Sequence, residues 1–266
     1  MAEREVVLID AHCHLDEVER RGVTARAVVD QARQAGVRQL VTSGDDLAGS
    51  RAGWALAEEF PEVFFTVGWH PVNPAPPTAA ELSQMRELLA HPKAVAVGEV
   101  GLDFFFRPGY LETPPVVQRE VFASMLNLAA ELAKPVVIHQ RQAHTDLLQL
   151  LDAGPQVTGI LHCFSGDRAF AEAAAARGLY CSFAGNVTFK SAHDLQEAAR
   201  VVPSELLLVE TDAPFLAPEP HRGQTSQPAM VRVTAQWLAV LRGDCLESLS
   251  AITTENTRRA LGIPAP

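Results

Sequence analysis

The chain carries two histidines one residue apart, His12 and His14, where the apolar run Val6–Ile9 gives way to Asp10-Ala11-His12-Cys13-His14-Leu15-Asp16. On an extended strand alternate side chains share a face. At about 3.3 Å per residue, two such imidazoles stand roughly 6–7 Å apart at Cβ and can converge on one divalent ion. Cys13 points the other way and is expected not to be a ligand. Four further metal-capable groups occupy the same kind of position. Glu99 follows Ala94–Gly98, His139 follows Val136–Ile138, His162 follows Gly159–Leu161, and Asp212 comes shortly after Leu206–Val209. Singly, each has a plain alternative: a salt bridge from Glu99 to Arg141, satisfied core histidines at 139 and 162, a turn cap at Asp212. Together, four histidines and two carboxylates exceed the three protein ligands of a catalytic zinc site. They suit two divalent ions with a bridging carboxylate. The mixed nitrogen and oxygen set suits Zn²⁺ or Mn²⁺, and Mg²⁺ less well.

Residues so far apart can meet only if strand ends are brought together. Apolar runs at 6–12, 38–43, 63–70, 94–98, 135–138, 156–161, 179–183 and 206–209 read as strands. Helical patterns lie between and after them, at 24–35, 50–60, 78–90, 116–133, 144–153, 168–177, 192–202, 228–241 and 246–261. Thr24 is expected to cap the first of these, and Thr78 with Glu81 forms a capping-box pattern. Short buried strands alternating with longer helices imply parallel pairing. Eight such units predict a closed (β/α)₈ TIM-type barrel. A doubly wound open sheet is the alternative, but it would be expected to carry a glycine-rich phosphate loop after its first strand. The carboxyl ends of barrel strands share one face, where active sites are built. All six candidate ligands fall there.

Composition narrows the classes further. The 266 residues are expected to form a single barrel domain, 1–266, of ample size for a large core. No apolar run approaches the roughly 20 residues that span a bilayer. The charged opening Met1-Ala2-Glu3-Arg4-Glu5 leads into an apolar run too short for a signal-peptide core. A cytoplasmic protein with reduced thiols is therefore expected, with no membrane association and no obligate protein partner evident. The net charge of −10 argues against tight, non-specific duplex binding. It leaves metal-assisted chemistry on nucleic acid open, since bound ions add positive charge that residue counts miss.

Six ordered blocks resemble the TatD-like metal-dependent hydrolases, a family within the amidohydrolase-type barrels. They are Asp10–Asp16, Gly98-Glu99-Val100-Gly101-Leu102-Asp103, Pro135–Arg141, His162-Cys163-Phe164-Ser165-Gly166, Glu210-Thr211-Asp212-Ala213-Pro214 and Pro220-His221-Arg222-Gly223. The resemblance covers essentially the whole chain. It implies that His12, His14 and Asp212 hold one metal and that His139 and His162 hold the other, with Glu99 bridging. It also implies phosphodiester hydrolysis as a deoxyribonuclease on single-stranded DNA or 3′ ends, through a metal-activated water. Asp212 would be the general base and Glu99 part of the catalytic centre. Arg222, Arg141 and His70 would assist at phosphate, and Phe164, Phe215 and Trp69 are candidates for base stacking. Hydrolysis of esters or amides, such as removal of D-amino acids from tRNA, is the alternative. One departure weighs against a preference for DNA: Gln224 and Ser226 stand where the family usually has Lys and Asn, so a positive charge at the substrate mouth is missing. Asp10 and Asp16 fit either support for the histidines or helix capping.

Overall fold

Eight strands form one sheet in sequence order: β1 (Leu8–Cys13), β2 (Val37–Thr42), β3 (Val63–Val67), β4 (Ala94–Asp103), β5 (Val136–Arg141), β6 (Gly159–Leu161), β7 (Tyr180–Phe183) and β8 (Leu207–Val209). Each pairs with the next in parallel. The last strand returns to the first through a parallel bridge between Cys13 and Ala213. There the His14 amide donates to the Ala213 carbonyl at 2.7 Å, and the Asp212 amide donates to the His12 carbonyl at 3.0 Å. The result is a nearly closed barrel. The computed structural model describes residues 6–265, so the charged opening at 1–5 lies outside the described residues.

Among the described residues ten α-helices accompany the strands: α1 (Leu15–Arg20), α2 (Ala25–Gln34), α3 (Leu47–Glu59), α4 (Ala79–Leu89), α5 (Pro115–Glu131), α6 (His144–Ala153), α7 (Arg168–Ala175), α8 (His193–Val201), α9 (Val231–Arg242) and α10 (Leu246–Leu261). Thr24 caps α2 by accepting from the Ala27 amide, and Thr78 with Glu81 makes the reciprocal capping box of α4. Parallel strands are covered on both faces, which is why they read as unbroken apolar runs. One set of their side chains, together with Cys181 and Phe183, packs outward against the helices. A second set forms the barrel interior, with Ala11, Val41, Phe64, Val95, Val137, Ile160, Tyr180 and Leu208 each from a different strand. Leu261 and Ile263, at and just past the end of α10, pack against this layer.

Three local expectations need correction. The chain turns helical directly after His14, because Leu15 and Val18 bury one face of α1 while Asp16 and Glu17 favour its first turn. Strand β4 does not stop at Gly98: its pairing with β5 breaks between Val97 and Val100 and resumes through Asp103 opposite Arg141. The helix expected from Pro228 opens as a 3₁₀ turn, Pro228–Met230, before α9.

Candidate metal centre

Strands β5 and β6 deliver their histidines by simple alternation. His139 lies two residues past interior Val137, and His162 two past interior Ile160, so both continue the inner face. Strands β1 and β4 do so through breaks in register, between Asp10 and Cys13 and between Val97 and Val100. The second break turns the Glu99 amide away from its strand partner to the Gly44 carbonyl at 3.0 Å. Glycine is required around it. A Cβ on Gly68 would stand 2.2 Å from the Glu99 nitrogen, and one on Gly101 (φ +146°) would stand 2.0 Å from the His139 carbonyl oxygen. Asp212 arrives from the far end of the chain along the seam. Asp10 holds that seam, accepting the Thr211 amide at 2.8 Å and the Thr211 hydroxyl at 2.5 Å. Asp16 instead pairs with Arg20 within α1, at 3.0 Å.

All six candidate ligands meet around the buried carboxylate of Glu99. Its Oε2 faces His12 Nε2 at 3.3 Å and His14 Nε2 at 3.7 Å. Its Oε1 lies 2.7 Å from both His139 Nδ1 and His162 Nε2. Asp212 Oδ1 stands 3.6 Å from His14 Nε2 and 4.0 Å from His12 Nε2. His70 Nε2 also approaches Glu99 Oε1, at 3.4 Å. Glu99 therefore does not pair with Arg141, whose guanidinium lies over the Phe105 ring at 4.0 Å. Cys13 faces away and donates its thiol to the Val41 carbonyl.

The inward nitrogens test whether this arrangement suits cations. His12 Nε2 and His14 Nε2 are 3.2 Å apart, and His139 Nδ1 and His162 Nε2 are 3.4 Å apart. At such distances each pair either shares a proton as an N–H···N hydrogen bond or turns two lone pairs toward a common cation. Carboxylates sit behind three of the rings: Asp45 at 3.6 Å from His14 Nδ1, Asp103 at 3.3 Å from His139 Nε2, and Glu210 at 3.4 Å from His162 Nδ1. A carboxylate at the far nitrogen fixes the tautomer and leaves the near nitrogen to accept. Burial opposes charge on His14, yet Asp45, Asp212 and Glu99 outweigh it and push its pKa up to about 10. Burial likewise opposes charge on His162, and Glu99 and Glu210 drive its pKa well upward. Glu99, against its own burial, is held well below the usual carboxylate range by His162 and His70. The cluster is a strongly anionic cavity that collects positive charge, and its donors fit divalent ions. Groups able to hold one include His12 with His14 and Glu99, His12 with His162 and Asp212, and His70 with Glu99 and His139.

His70 differs from the others. Its Nδ1 accepts the Val72 amide at 2.9 Å, which keeps the ring proton on Nε2, directed into the cavity. Burial and the neighbouring His139 lower its pKa to about 3, so it is neutral and a donor at physiological pH.

The remaining candidates are not drawn into the cluster. Arg222 is exposed, with its guanidinium 4.4 Å from the centre of the Phe189 ring. Phe164 is 1% exposed and packs between Phe170 and Phe183, so it offers no face to a base. Trp69 is 8% exposed and donates its indole N–H to the Ala75 carbonyl, fastening the proline-rich loop. Phe215 alone of the three is exposed, edge-on to His14 at 6.0 Å between ring centres. Asp45, Asp103 and Glu210 were missed among the functional residues, although each also follows or ends a strand and the same positional rule would have found them.

A parallel barrel with histidines and carboxylates gathered at the carboxyl ends of its strands defines the class: a metal-dependent hydrolase of the amidohydrolase-type barrels. An uncharacterised amidohydrolase of Saccharomyces cerevisiae shares the fold at a TM-score of 0.80 and 15% identity, over 96% of this chain and 99% of that one. The sequence pattern of TatD-related DNases matches residues 9–262, and the chain belongs to that family. A metal-dependent hydrolase named TatD from Mycobacterium tuberculosis is 43% identical over 260 residues, 96% of this chain and 98% of the relative. A protein of Escherichia fergusonii named as a 3′-5′ ssDNA/RNA exonuclease is 35% identical over 243 residues, 89% of this chain and 92% of the relative. The crystal structure of the TatD homologue YJJV from Escherichia coli K12 superposes with a TM-score of 0.87 at 27% identity, over 98% of this chain and all of that one.

Proposed function

We propose that the chain is a divalent-metal-dependent phosphodiester hydrolase, a nuclease that acts on single-stranded DNA or on 3′ ends. The observation that carries this reading is the division of Glu99, one oxygen toward His12 and His14 and the other toward His139 and His162. His12, His14 and Asp212 would hold one ion and His139 with His162 a second, with Glu99 shared. When bound, such ions supply Lewis acidity and bring the acidity of water into the neutral range. Asp212 accepts the proton of the attacking water at Oδ1. Burial opposes its ionisation, but a hydrogen bond from His14 and the surrounding imidazoles hold its pKa below the usual range, so it is ready as a base. His70 donates a hydrogen bond from its Nε2–H to a phosphoryl oxygen and, with Nδ1 occupied, keeps that proton throughout. Asp45, Asp103 and Glu210 orient the imidazoles of His14, His139 and His162. The name of the Escherichia fergusonii relative supports nucleic acid as substrate.

The test combines elemental analysis of the purified protein with turnover of a 5′-labelled oligonucleotide at graded salt, set against an aminoacyl ester. Two ions per chain and stepwise shortening from the 3′ end support the reading. A stoichiometry near one overturns the two-ion arrangement. Turnover of the ester alone assigns the centre to the ester chemistry that Gln224 and Ser226 left open.

A further inference from the structure

The arginines of this acidic protein, exposed or, like Arg141, half-buried, fall into two groups. Away from the cavity most are neutralised by carboxylates, as in Arg168 with Glu172, Arg177 with Asp152, Arg86 with Glu131 and Arg200 with Glu197. Around the mouth four arginines form no ion pair among the described residues and lie on aromatic rings instead. Arg107 covers Tyr110 at 4.6 Å, and Arg141 covers Phe105 at 4.0 Å. Arg21 covers Phe215 at 5.1 Å, and Arg222 covers Phe189 at 4.4 Å. Arg26 and Arg119 also cover rings, but each meets a carboxylate as well, and Arg259, over Tyr180 at 5.8 Å, has its donors taken by the Tyr180 hydroxyl, the Glu205 carbonyl and the Asn256 side chain.

These pairs sit where a bound chain would pass. Phe105 and Tyr110 belong to the loop that leaves β4 just after Asp103, the carboxylate behind His139, and the Phe105 amide donates to Asp103 Oδ1 at 2.8 Å. Phe215 stands edge-on to His14. Phe189 follows the 3₁₀ turn after β7. Tyr110 and Phe215 are 49% and 43% exposed, and Phe106, in the same loop as Tyr110, is 46% exposed. Large apolar faces left open beside a polar cavity mark a binding surface. A guanidinium with no carboxylate retains its donors for phosphate, and an open ring accepts a flat base of any identity.

We infer that this rim of arginine-covered aromatic rings binds unpaired nucleobases and their phosphates, guiding a single strand into the cavity. The inference rests on the phosphodiesterase reading for its substrate class. A duplex keeps its bases stacked on one another and cannot use the rings, so the rim selects single strands. It also supplies the positive charge that Gln224 does not.

The experiment measures binding apart from turnover. Fluorescence anisotropy of the metal-loaded protein compares a phosphorothioate dT12, which resists cleavage, with an abasic 12-mer of equal charge. Wild type should bind the base-bearing strand at least 10-fold more tightly. Tyr110→Ala and Phe215→Ala should each weaken it by about 5- to 150-fold, the range for loss of one base–aromatic stack, and should leave the abasic strand's affinity almost unchanged. Arg107→Lys keeps the charge but loses the planar cover, and should fall between wild type and Tyr110→Ala. Arg168→Lys, the same substitution on a distant paired arginine, should have no effect. Equal wild-type affinity for the two strands overturns the rim, as does an unchanged affinity in both ring variants. Hydrolysis of bis(p-nitrophenyl) phosphate is read in parallel. Turnover without base discrimination removes the rim and keeps the hydrolase; base discrimination without turnover does the reverse.

Discussion

Replacing Glu99 with glutamine tests the centre at its most connected point. The substitution keeps the volume of a residue that is 3% exposed, removes its charge and turns one acceptor oxygen into an amide donor. Five imidazole nitrogens lie within 3.7 Å of the two oxygens that change, those of His139, His162, His12, His70 and His14. Three of those rings have pKa values raised by this carboxylate among others, so the metal-free cavity would keep buried positive charge without its main counter-charge. Breaking one buried pair in this way costs about 3–5 kcal/mol. For a chain of this length that is a fall in Tm of roughly 6–20 °C at about 2–4 °C per kcal/mol. Metal affinity should drop by more than the 10- to 100-fold typical of losing an indirect supporting partner. Calorimetry and urea denaturation of chelated wild type and Glu99→Gln measure the first effect, and titration with Zn²⁺ or Mn²⁺ the second. A variant as stable as wild type that takes up two ions at unchanged affinity refutes the bridging carboxylate.

Three further outcomes follow from the same geometry. Gly101→Ala places a methyl 2.0 Å from the His139 carbonyl oxygen, so β4 and β5 must part beside Glu99. Stability should fall by roughly 1–3 kcal/mol and metal affinity with it, as read by denaturant titration with and without metal. His70→Ala should lower kcat by about 10²- to 10³-fold, as for loss of a preorganised donor, while elemental analysis still finds the wild-type metal content; lost metal would make His70 a ligand instead. Metal uptake at pH 7 should release protons. His14, raised to about 10, and His162, raised well above its usual value, carry protons that an ion must displace. Affinity should therefore weaken as pH falls, and heats of binding should depend on the ionisation enthalpy of the buffer. Heats that are equal across buffers would contradict those shifts.

The barrel was legible because parallel strands buried on both faces must be written as apolar runs, and eight such runs alternate with helices here. His139 and His162 were legible for a related reason, since each continues an alternation already visible in its strand. The placement of Glu99 was readable only as an adjacency. The break that aims it into the cavity depends on Gly44 and Gly68 lying against β4 and on Gly101 lying against His139 of β5, and spacing along the chain does not show that. The same holds for α1, whose six residues are too few to give a clear period. The aromatics show the limit from the other side. Residue type could not separate the buried Phe164 and Trp69 from the exposed Phe215, because only packing decides which face of a ring is left open. Nor did the sequence reveal that Arg107 and Tyr110, in the connection that leaves β4, stand beside the cavity.

The seam between β8 and β1 gives the chain an order of events. Asp10 and His12 lie near its start, Thr211 and Asp212 some two hundred residues later, and the contacts that join them also bring Asp212 to the histidines. A ribosome-bound chain that has not yet exposed Asp212 has neither a finished barrel nor a finished ligand set. Occupancy by metal then reports completion, since an ion that binds only the joined ends stabilises only the finished protein. Fragments that stop short of Asp212 lack the residue that joins the seam to the histidine cluster, and with it the proposed base.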